Sequence, residues 1–239
     1  MQIVAGLHLV DGMAGGIVNA YVWERPDGGL TLIDAGMPKD AAKILAFART
    51  LGIERLNRII ITHADIDHVG GLAEVQAATG ARVICHAVEK EVVVGHKIRT
   101  MGSRPLARAY APLADAATRR FLSYRPVALV DELVLDKQTL PEGFQVIHVP
   151  GHTAGQIALH QPERGILIVG DAFNNNKNRL GLPSSIATPR MDVAMDSIRK
   201  LAEIKDIQVI CCGHGSPITQ DAEARLQAFA ASLDGSARR

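Results

Sequence analysis

The chain has 239 residues with a formal net charge of +1, and 47% of its residues are apolar while 21% are charged. This composition is typical of a globular protein with a substantial core, and the near-neutral charge does not favour nucleic acid or an anionic membrane as a partner. Aromatic residues make up only 4%, so platforms that stack nucleic-acid bases are not expected.

The cysteines and the first residues of the chain bear on the cellular compartment in which the protein is expected. Residues 1–6 have neither a charged start nor a long apolar stretch, so no signal peptide or spanning helix is expected. Cys85, Cys211 and Cys212 lie in or beside apolar runs, and their odd number argues against a secreted disulfide framework. We interpret them as small buried hydrophobic residues and expect a cytoplasmic protein.

In chain order, short apolar runs and glycine-rich turns predict strands that alternate with helices. Strands are expected near residues 2–10, 16–23, 30–33, 58–61, 82–85, 127–130, 144–149, 156–160, 165–169 and 207–211. Helices are expected near residues 39–51, 72–78, 191–204 and 222–233, with a polar loop at 174–185. Strand-rich halves that each end in helices predict two sheets packed face to face with helices outside, in one domain over residues 1–239.

Residues 88–124 differ from the rest. They are helical in composition and rich in arginine, but Gly95, Gly102, Pro105 and Pro112 interrupt them. We predict a helical insertion that covers one edge of the core. It is either a plain surface connection or a wall of the functional site.

The densest cluster of chemically active residues follows the strand at 58–61. His63, Asp65, Asp67 and His68 lie within six positions, directly after three isoleucines and before Gly70-Gly71. Carboxylates placed this close would repel each other if they were left unpaired, and a divalent cation removes that conflict. The pattern therefore favours a metal site over an ordinary solvated loop.

Three later segments have the same design of an apolar strand, a ligand type and an adjacent glycine. They place His152, Asp171 and His214 just past strands. Glycine beside each ligand permits close approach of the backbone. Four strand ends with one design predict that these side chains meet at one edge of the sheets.

Together these motifs resemble the metallo-β-lactamase-fold hydrolases. The matching pieces are His-Ala-Asp-Ile-Asp-His at 63–68, Gly-His-Thr-Ala-Gly at 151–155, Gly-Asp at 170–171, Gly-His-Gly at 213–215 and Leu-Ile-Asp-Ala-Gly at 32–36. The resemblance covers nearly the whole chain in the family's order. It implies an α+β fold, a four-layer αββα sandwich with a metal site at one edge of the two sheets.

The resemblance also implies two divalent ions. The first would be held by His63, Asp65 and His152, the second by Asp67, His68 and His214, with Asp171 between them. Asp34 would support the ligand loop without binding metal. The family's usual motif has histidine where this chain has Asp65, and a carboxylate suits zinc, manganese or iron. Zinc is the expected metal, and a single-metal site that keeps Asp67, His68, His214 and Asp171 stays open.

The function implied is metal-dependent hydrolysis of a small-molecule substrate. A metal-bound hydroxide would attack the carbonyl of an ester, lactone or thioester, with Asp67 orienting the nucleophile. The residues do not separate a lactonase, a thioesterase and a lactamase. Two alternatives remain: an iron-dependent oxidoreductase resembling persulfide dioxygenases, and a metal-stabilised binding protein without turnover. Neither nucleic acid nor membrane is expected as a partner, and the oligomeric state is open, a homodimer included.

Candidate substrate contacts come from two regions. Tyr110 and Tyr124 lie in or at the end of the insertion and could polarise a carbonyl. Asn174 and Arg179 follow Asp171 and could bind a carboxylate or a carbonyl oxygen.

Overall fold

The protein is represented by a computed structural model, which describes residues 1–102, 113, 116, 117, 120 and 124–236. Among these residues, no helix combines the length and apolar character needed to cross a bilayer. Of the 37 residues of the predicted insertion, 17 lie outside the described residues, and Tyr110 is one of them.

The larger sheet has seven strands that follow one another in chain order. They are β1 (Gln2–Val4), β2 (Leu7–Leu9), β3 (Tyr21–Glu24), β4 (Leu30–Ile33), β5 (Leu56–Ile61), β6 (Arg82–His86) and β7 (Glu132–Val134). Strands β1 to β4 pair antiparallel, whereas β4 to β7 pair parallel. Parallel neighbours need crossover connections, and these contain α1 (Ala41–Leu51), the short α2 (Ile66–Val69), α3 (Leu72–Thr79) and the short α4 (Lys90–Val93).

The second sheet has four strands in the order β13-β10-β9-β8. These are β8 (Gln145–His148), β9 (Ile157–Gln161), β10 (Ile166–Gly170) and β13 (Val209–Cys212), while β11 (Asn174–Asn176) and β12 (Arg179–Gly181) form a separate hairpin. Strand β13 runs parallel to β10, and the other pairs are antiparallel. Helices α5 (Met191–Ala202) and α6 (Ala222–Ser236) flank β13 in the chain.

Successive side chains of each strand point to opposite faces of its sheet, and so they pack against the layers on both sides. In β5, Ile60 joins a buried cluster that also contains Ile166 and Ile168 of β10, so this cluster lies between the two sheets. Ile59 and Ile61 point the other way, into a cluster with the apolar faces of α1 and α3. A third cluster joins the outer face of β10 and β13 to α5 and α6. Three apolar interfaces between four layers confirm the predicted αββα sandwich.

Three local predictions were wrong. The strand expected over residues 16–23 begins only at Tyr21, because Asn19 turns to the loop after β13 and donates from its side-chain amide to the carbonyl oxygens of Cys212 and Gly215. The strand expected at 127–130 lies instead at β7, whose neighbour β6 fixes its register. The polar loop expected at 174–185 contains the β11–β12 hairpin. The three cysteines are buried and unpaired, as predicted.

Candidate metal centre

The predicted ligand residues lie in four segments, each of which follows the carboxyl end of a strand, and Asp67 and His68 belong to the short helix α2. His63, Asp65, Asp67 and His68 follow β5, His152 follows β8, Asp171 follows β10 and His214 follows β13. The structure brings all seven side chains together at one edge of the two sheets. Residues as far apart as His63 and His152 meet there, with ring centroids 5.0 Å apart.

Asp67, His68 and His214 form one compact group, the second ligand set, whose ligand-type atoms all lie within 4.8 Å of one another. His214 Nε2 is 3.3 Å from Asp67 Oδ2 and 3.0 Å from Asp171 Oδ2. Asp171 Oδ1 is 3.4 Å from His68 Nε2. Asp171 therefore adds a fourth side chain, and a second carboxylate, to this group.

His63, Asp65 and His152 form the first ligand set, also within 4.8 Å. Asp65 Oδ2 is 3.0 Å from His152 Nε2 and 4.0 Å from His63 Nε2. Asp171 Oδ2, the oxygen that also faces His214, is 3.7 Å from His152 Nε2. Asp171 thus lies between the two sets, where the family resemblance implied it would.

Several buried polar atoms of this centre have no hydrogen-bond partner among the described residues. They are His63 Nε2, His68 Nε2 and Asp171 Oδ1, and both histidines are fully buried. A buried polar atom without a partner costs about 1–3 kcal/mol. Imidazole nitrogens and carboxylate oxygens are the ligand types of zinc and of harder divalent ions. The residues present therefore fit a divalent cation.

The carboxylates of the centre raise the pKa of two of its histidines. Burial alone would lower the pKa of His214, but hydrogen bonds to Asp171 and Asp67 raise it to about 10. Burial opposes a charge on His68 as well, yet Asp34, Asp171 and Asp67 raise its pKa well above the usual range. Burial lowers the pKa of His63 to about 3. A metal ion would take over the balancing charge and release the protons.

Asp34 binds the strand end that leads into the ligand loop. Its Oδ1 accepts from the backbone N–H of Thr62 at 2.8 Å, and its Oδ2 accepts from the Thr62 hydroxyl at 2.7 Å. Asp34 Oδ2 also lies 2.8 Å from His68 Nδ1 and so fixes the ring. Its backbone has φ +62°, a conformation that aspartate tolerates better than most residues.

Glu89 plays a similar part that the sequence did not indicate. Its side chain is buried; Oε2 accepts from the N–H of Ala64 at 3.0 Å and Oε1 from the N–H of Gly155 at 2.7 Å. Ala64 lies between His63 and Asp65, and Gly155 closes the loop of His152. One carboxylate therefore ties together the two loops that supply the first ligand set.

Gly213 shows why glycine precedes His214. A Cβ at this position would overlap Asp171 Oδ1 and lie only 2.7 Å from His68 Cε1. The backbone N–H of Gly213 donates to the Gly170 carbonyl at 2.7 Å, which joins the His214 loop to the Asp171 loop. His214 itself is oriented by the Ile17 carbonyl oxygen, 2.9 Å from its Nδ1.

Asp65 has an additional partner that the sequence did not predict. Arg99 donates from Nε to Asp65 Oδ1 and from Nη2 to Asp65 Oδ2, the latter at 2.9 Å. With the hydrogen bond from His152, the charge of Arg99 holds the pKa of Asp65 far below its usual range, although burial opposes ionisation. Arg99 belongs to the segment predicted as an insertion, 34 positions from Asp65, and spacing alone gives no signal for this pair.

A cavity of about 540 Å³ opens over the centre. Asp65, Asp67, His152, Asp171 and His214 lie in its floor, and the walls include Ile17, Val92, Ile98, Met101 and Tyr124. The described residues at both ends of the predicted insertion therefore line the cavity.

The other predicted substrate contacts lie elsewhere. Asn174 donates to the Leu182 carbonyl at 3.0 Å and borders a smaller side pocket beside His214. Arg179 is exposed on β12 and is not among the described residues that line the cavity.

Comparisons with known proteins agree with this architecture. The metallo-beta-lactamase superfamily profile matches residues 13–214. Probable metallo-hydrolase YflN of Bacillus subtilis is 30% identical over 233 residues, covering 88% of this chain and 85% of that protein. Hydroxyacylglutathione hydrolase of Ectopseudomonas mendocina is 29% identical over 197 residues, covering 81% of this chain but only 61% of that protein.

Among solved structures, TTHA1623 in a di-iron-bound form has 28% identity and a TM-score of 0.67, covering 89% of this chain and 94% of that chain. The family profile covers well over half of the chain and includes every candidate ligand. The chain therefore belongs to the metallo-β-lactamase superfamily.

Proposed function

We propose that this chain is a metal-dependent hydrolase that cleaves the acyl bond of a thioester or a related ester. The observation that carries the proposal is the convergence of four histidines and three aspartates at one edge of the sheets, where five of them line the cavity and buried ligand atoms are left without partners. Such an arrangement is costly in a protein that binds no cation.

A divalent ion held at this centre would supply Lewis-acid polarisation of the acyl carbonyl and a lowered pKa for water. The chain's own residues do the rest. Asp67 borders both the cavity and His214, so its carboxylate can accept the proton of the attacking water and pass it to the leaving group. Asp34 and Glu89 hold the loops in position, and the apolar walls exclude bulk water.

Two features favour a thioester with an apolar group near the scissile bond. Ile17, Val92, Ile98 and Met101 give the cavity apolar walls beside a polar floor. Relatives named hydroxyacylglutathione hydrolase act on acyl derivatives of a thiol, although the chain spans about three fifths of the length of the one compared above. The substrate itself is therefore part of the proposal.

The test is a panel of thioesters, esters, lactones and β-lactams, offered to protein that has been stripped of metal and reloaded with zinc, manganese or iron. Thioester hydrolysis should be the fastest, should disappear with a chelator and should return with metal. Asp67→Asn should retain metal and lose turnover. Hydrolysis that survives complete metal removal would refute the mechanism.

A second candidate is an iron-dependent oxidoreductase. The carboxylate at position 65 and the di-iron-bound form of the TTHA1623 structure favour it. Oxygen uptake with a thiol or persulfide substrate by anaerobically purified, iron-loaded protein, without hydrolysis of any panel member, would replace the hydrolase proposal with this one. Metal binding with neither activity would favour a binding protein.

A further inference from the structure

Arg99 makes its contacts with the same atoms that would hold the first metal ion. Its Nη2 is 2.9 Å from Asp65 Oδ2 and 3.3 Å from His152 Nε2. These are two of the three ligand-type atoms of the first ligand set. The same nitrogen donates to the His152 backbone carbonyl at 3.0 Å, so the guanidinium is held from three sides.

The pair between Arg99 and Asp65 is well enclosed. The side chains are 12% and 15% exposed, and the two nitrogens of the guanidinium engage both carboxylate oxygens. A planar guanidinium matches a carboxylate in this bidentate manner, and such pairs are among the stronger ones in proteins. An arginine that lay near the site by chance would not be expected to contact both oxygens of one enclosed carboxylate.

A metal ion and this guanidinium exclude each other. Zinc binds carboxylate oxygen and imidazole nitrogen at about 2.0–2.2 Å. An ion bound to both Asp65 Oδ2 and His152 Nε2 would therefore lie close to the position of Arg99 Nη2. Two positive charges at that separation in a buried site repel strongly.

Among the described residues, the second ligand set has no such competitor. Within the part of the chain that the structure describes, no lysine or arginine is paired with Asp67, His68, Asp171 or His214. Each set has a buried histidine nitrogen without a hydrogen-bond partner among the described residues, His63 Nε2 in the first and His68 Nε2 in the second. The difference is that Arg99 donates to the Asp65 carboxylate and to the His152 backbone carbonyl of the first set. The two halves of the centre are thus unequal.

We propose that the guanidinium of Arg99 takes the place of the first metal ion, so that the chain holds a single divalent ion, in the second ligand set with Asp171. Asp65 is then the anchor of Arg99 and not a metal ligand. This also accounts for aspartate at position 65, since a carboxylate pairs with arginine where histidine would not. Arg99 lines the cavity beside Asp65, so it presents a fixed positive charge there to the substrate. The inference rests on the proposed metal-dependent function and assigns its metal site.

The experiment counts metal ions. Wild type, Arg99→Met and Lys97→Met are stripped with a chelator, reloaded with excess zinc, passed through gel filtration and measured for zinc and protein. Lys97 is the matched control, because it is a cation that lines the same cavity and has no described bond to Asp65 or His152. Wild type and Lys97→Met should retain one ion per chain, and Arg99→Met should retain two, a twofold increase.

Two ions in wild type, or one ion in an Arg99→Met variant with the circular dichroism spectrum of wild type, would overturn the inference. If Arg99→Met does not fold, the single variant Asp65→Ala, which retains Arg99, tests the inference instead. It should keep the wild-type zinc count, and a loss of zinc would show that Asp65 is a ligand after all. Two ions in wild type leave the hydrolase proposal standing, whereas no zinc in any folded variant would end both.

Discussion

Replacing Glu89 with glutamine tests whether the ligand loops depend on a buried carboxylate outside the ligand sets. Glu89 accepts from Ala64 N–H at 3.0 Å and from Gly155 N–H at 2.7 Å, and it is 3% exposed. Glutamine retains the shape and one acceptor oxygen, but its NH₂ group then faces a backbone N–H. The variant should therefore lose one hydrogen bond to a charged acceptor and leave one backbone donor unpaired.

A hydrogen bond to a charged group contributes about 1.5–3 kcal/mol, so the free energy of unfolding of Glu89→Gln should fall by about 2 kcal/mol. With a urea m-value of about 2 kcal/mol per molar, the midpoint should shift down by about 1 M. The metal affinity should fall as well, by about 10–100-fold, because groups that orient ligands have effects of this size. Urea unfolding of metal-free protein and chelator competition measure the two quantities.

The matched control is Glu91→Gln, two positions away in α4. Glu91 is 42% exposed and its described side-chain partner is His96, at 3.4 Å. Exposed substitutions of this kind change stability by less than about 0.5 kcal/mol, and metal affinity should not change. If Glu89→Gln lowers the unfolding free energy while metal affinity stays within twofold of wild type, the carboxylate supports the fold without positioning the ligand loops, and the reasoning is wrong.

Three further predictions concern other parts of the centre and the core. Gly213→Ala should lower metal affinity at least about tenfold in chelator competition, since its Cβ would overlap Asp171 Oδ1; unchanged affinity would contradict the packing argument. Asp67→Asn should lower kcat for the best thioester about 10²–10⁴-fold with metal content retained, and full activity would exclude Asp67 as the proton acceptor. Glu142→Ala should destabilise the protein by about 1.5–3 kcal/mol in urea unfolding, because buried Arg58 loses the carboxylate 2.5 Å from its Nε and keeps only Glu132 among its described partners; a change below about 1 kcal/mol would refute this.

Much of the fold could be predicted from the sequence because the relevant signals are local. Apolar β-branched runs such as Ile59–Ile61 predicted buried strands, and the ligand types that follow such runs predicted one shared edge. The resemblance also implied that Asp34, at the end of the family's early strand, supports the ligand loop, and that role stays a prediction. The predicted resemblance to the metallo-β-lactamase fold was confirmed by the superfamily profile and the solved structures.

What the sequence could not predict depends on tertiary contact. Glu89 reaches Ala64 and Gly155 across 25 and 66 positions, and neither spacing produces a recognisable pattern. The strand expected from residue 16 was cut short by Asn19, whose amide satisfies the backbone of the loop after β13. Local propensity therefore located the elements, but side chains that join distant loops decided where several of them end.

Two carboxylates outside the ligand sets stabilise the centre, and each of them holds a different half of it. Asp34 fixes Thr62 and the His68 ring, on the side of the second ligand set, and it is held in a left-handed backbone conformation to do so. Glu89 joins the loops of the first ligand set, where Arg99 already supplies a cation. On the first side, Arg99 and Glu89 hold Asp65 and the two loops, and among the described ligand atoms His63 Nε2 is left without a hydrogen-bond partner. On the second side both His68 Nε2 and Asp171 Oδ1 are left without one and no described cation is present, so a metal ion would contribute most there.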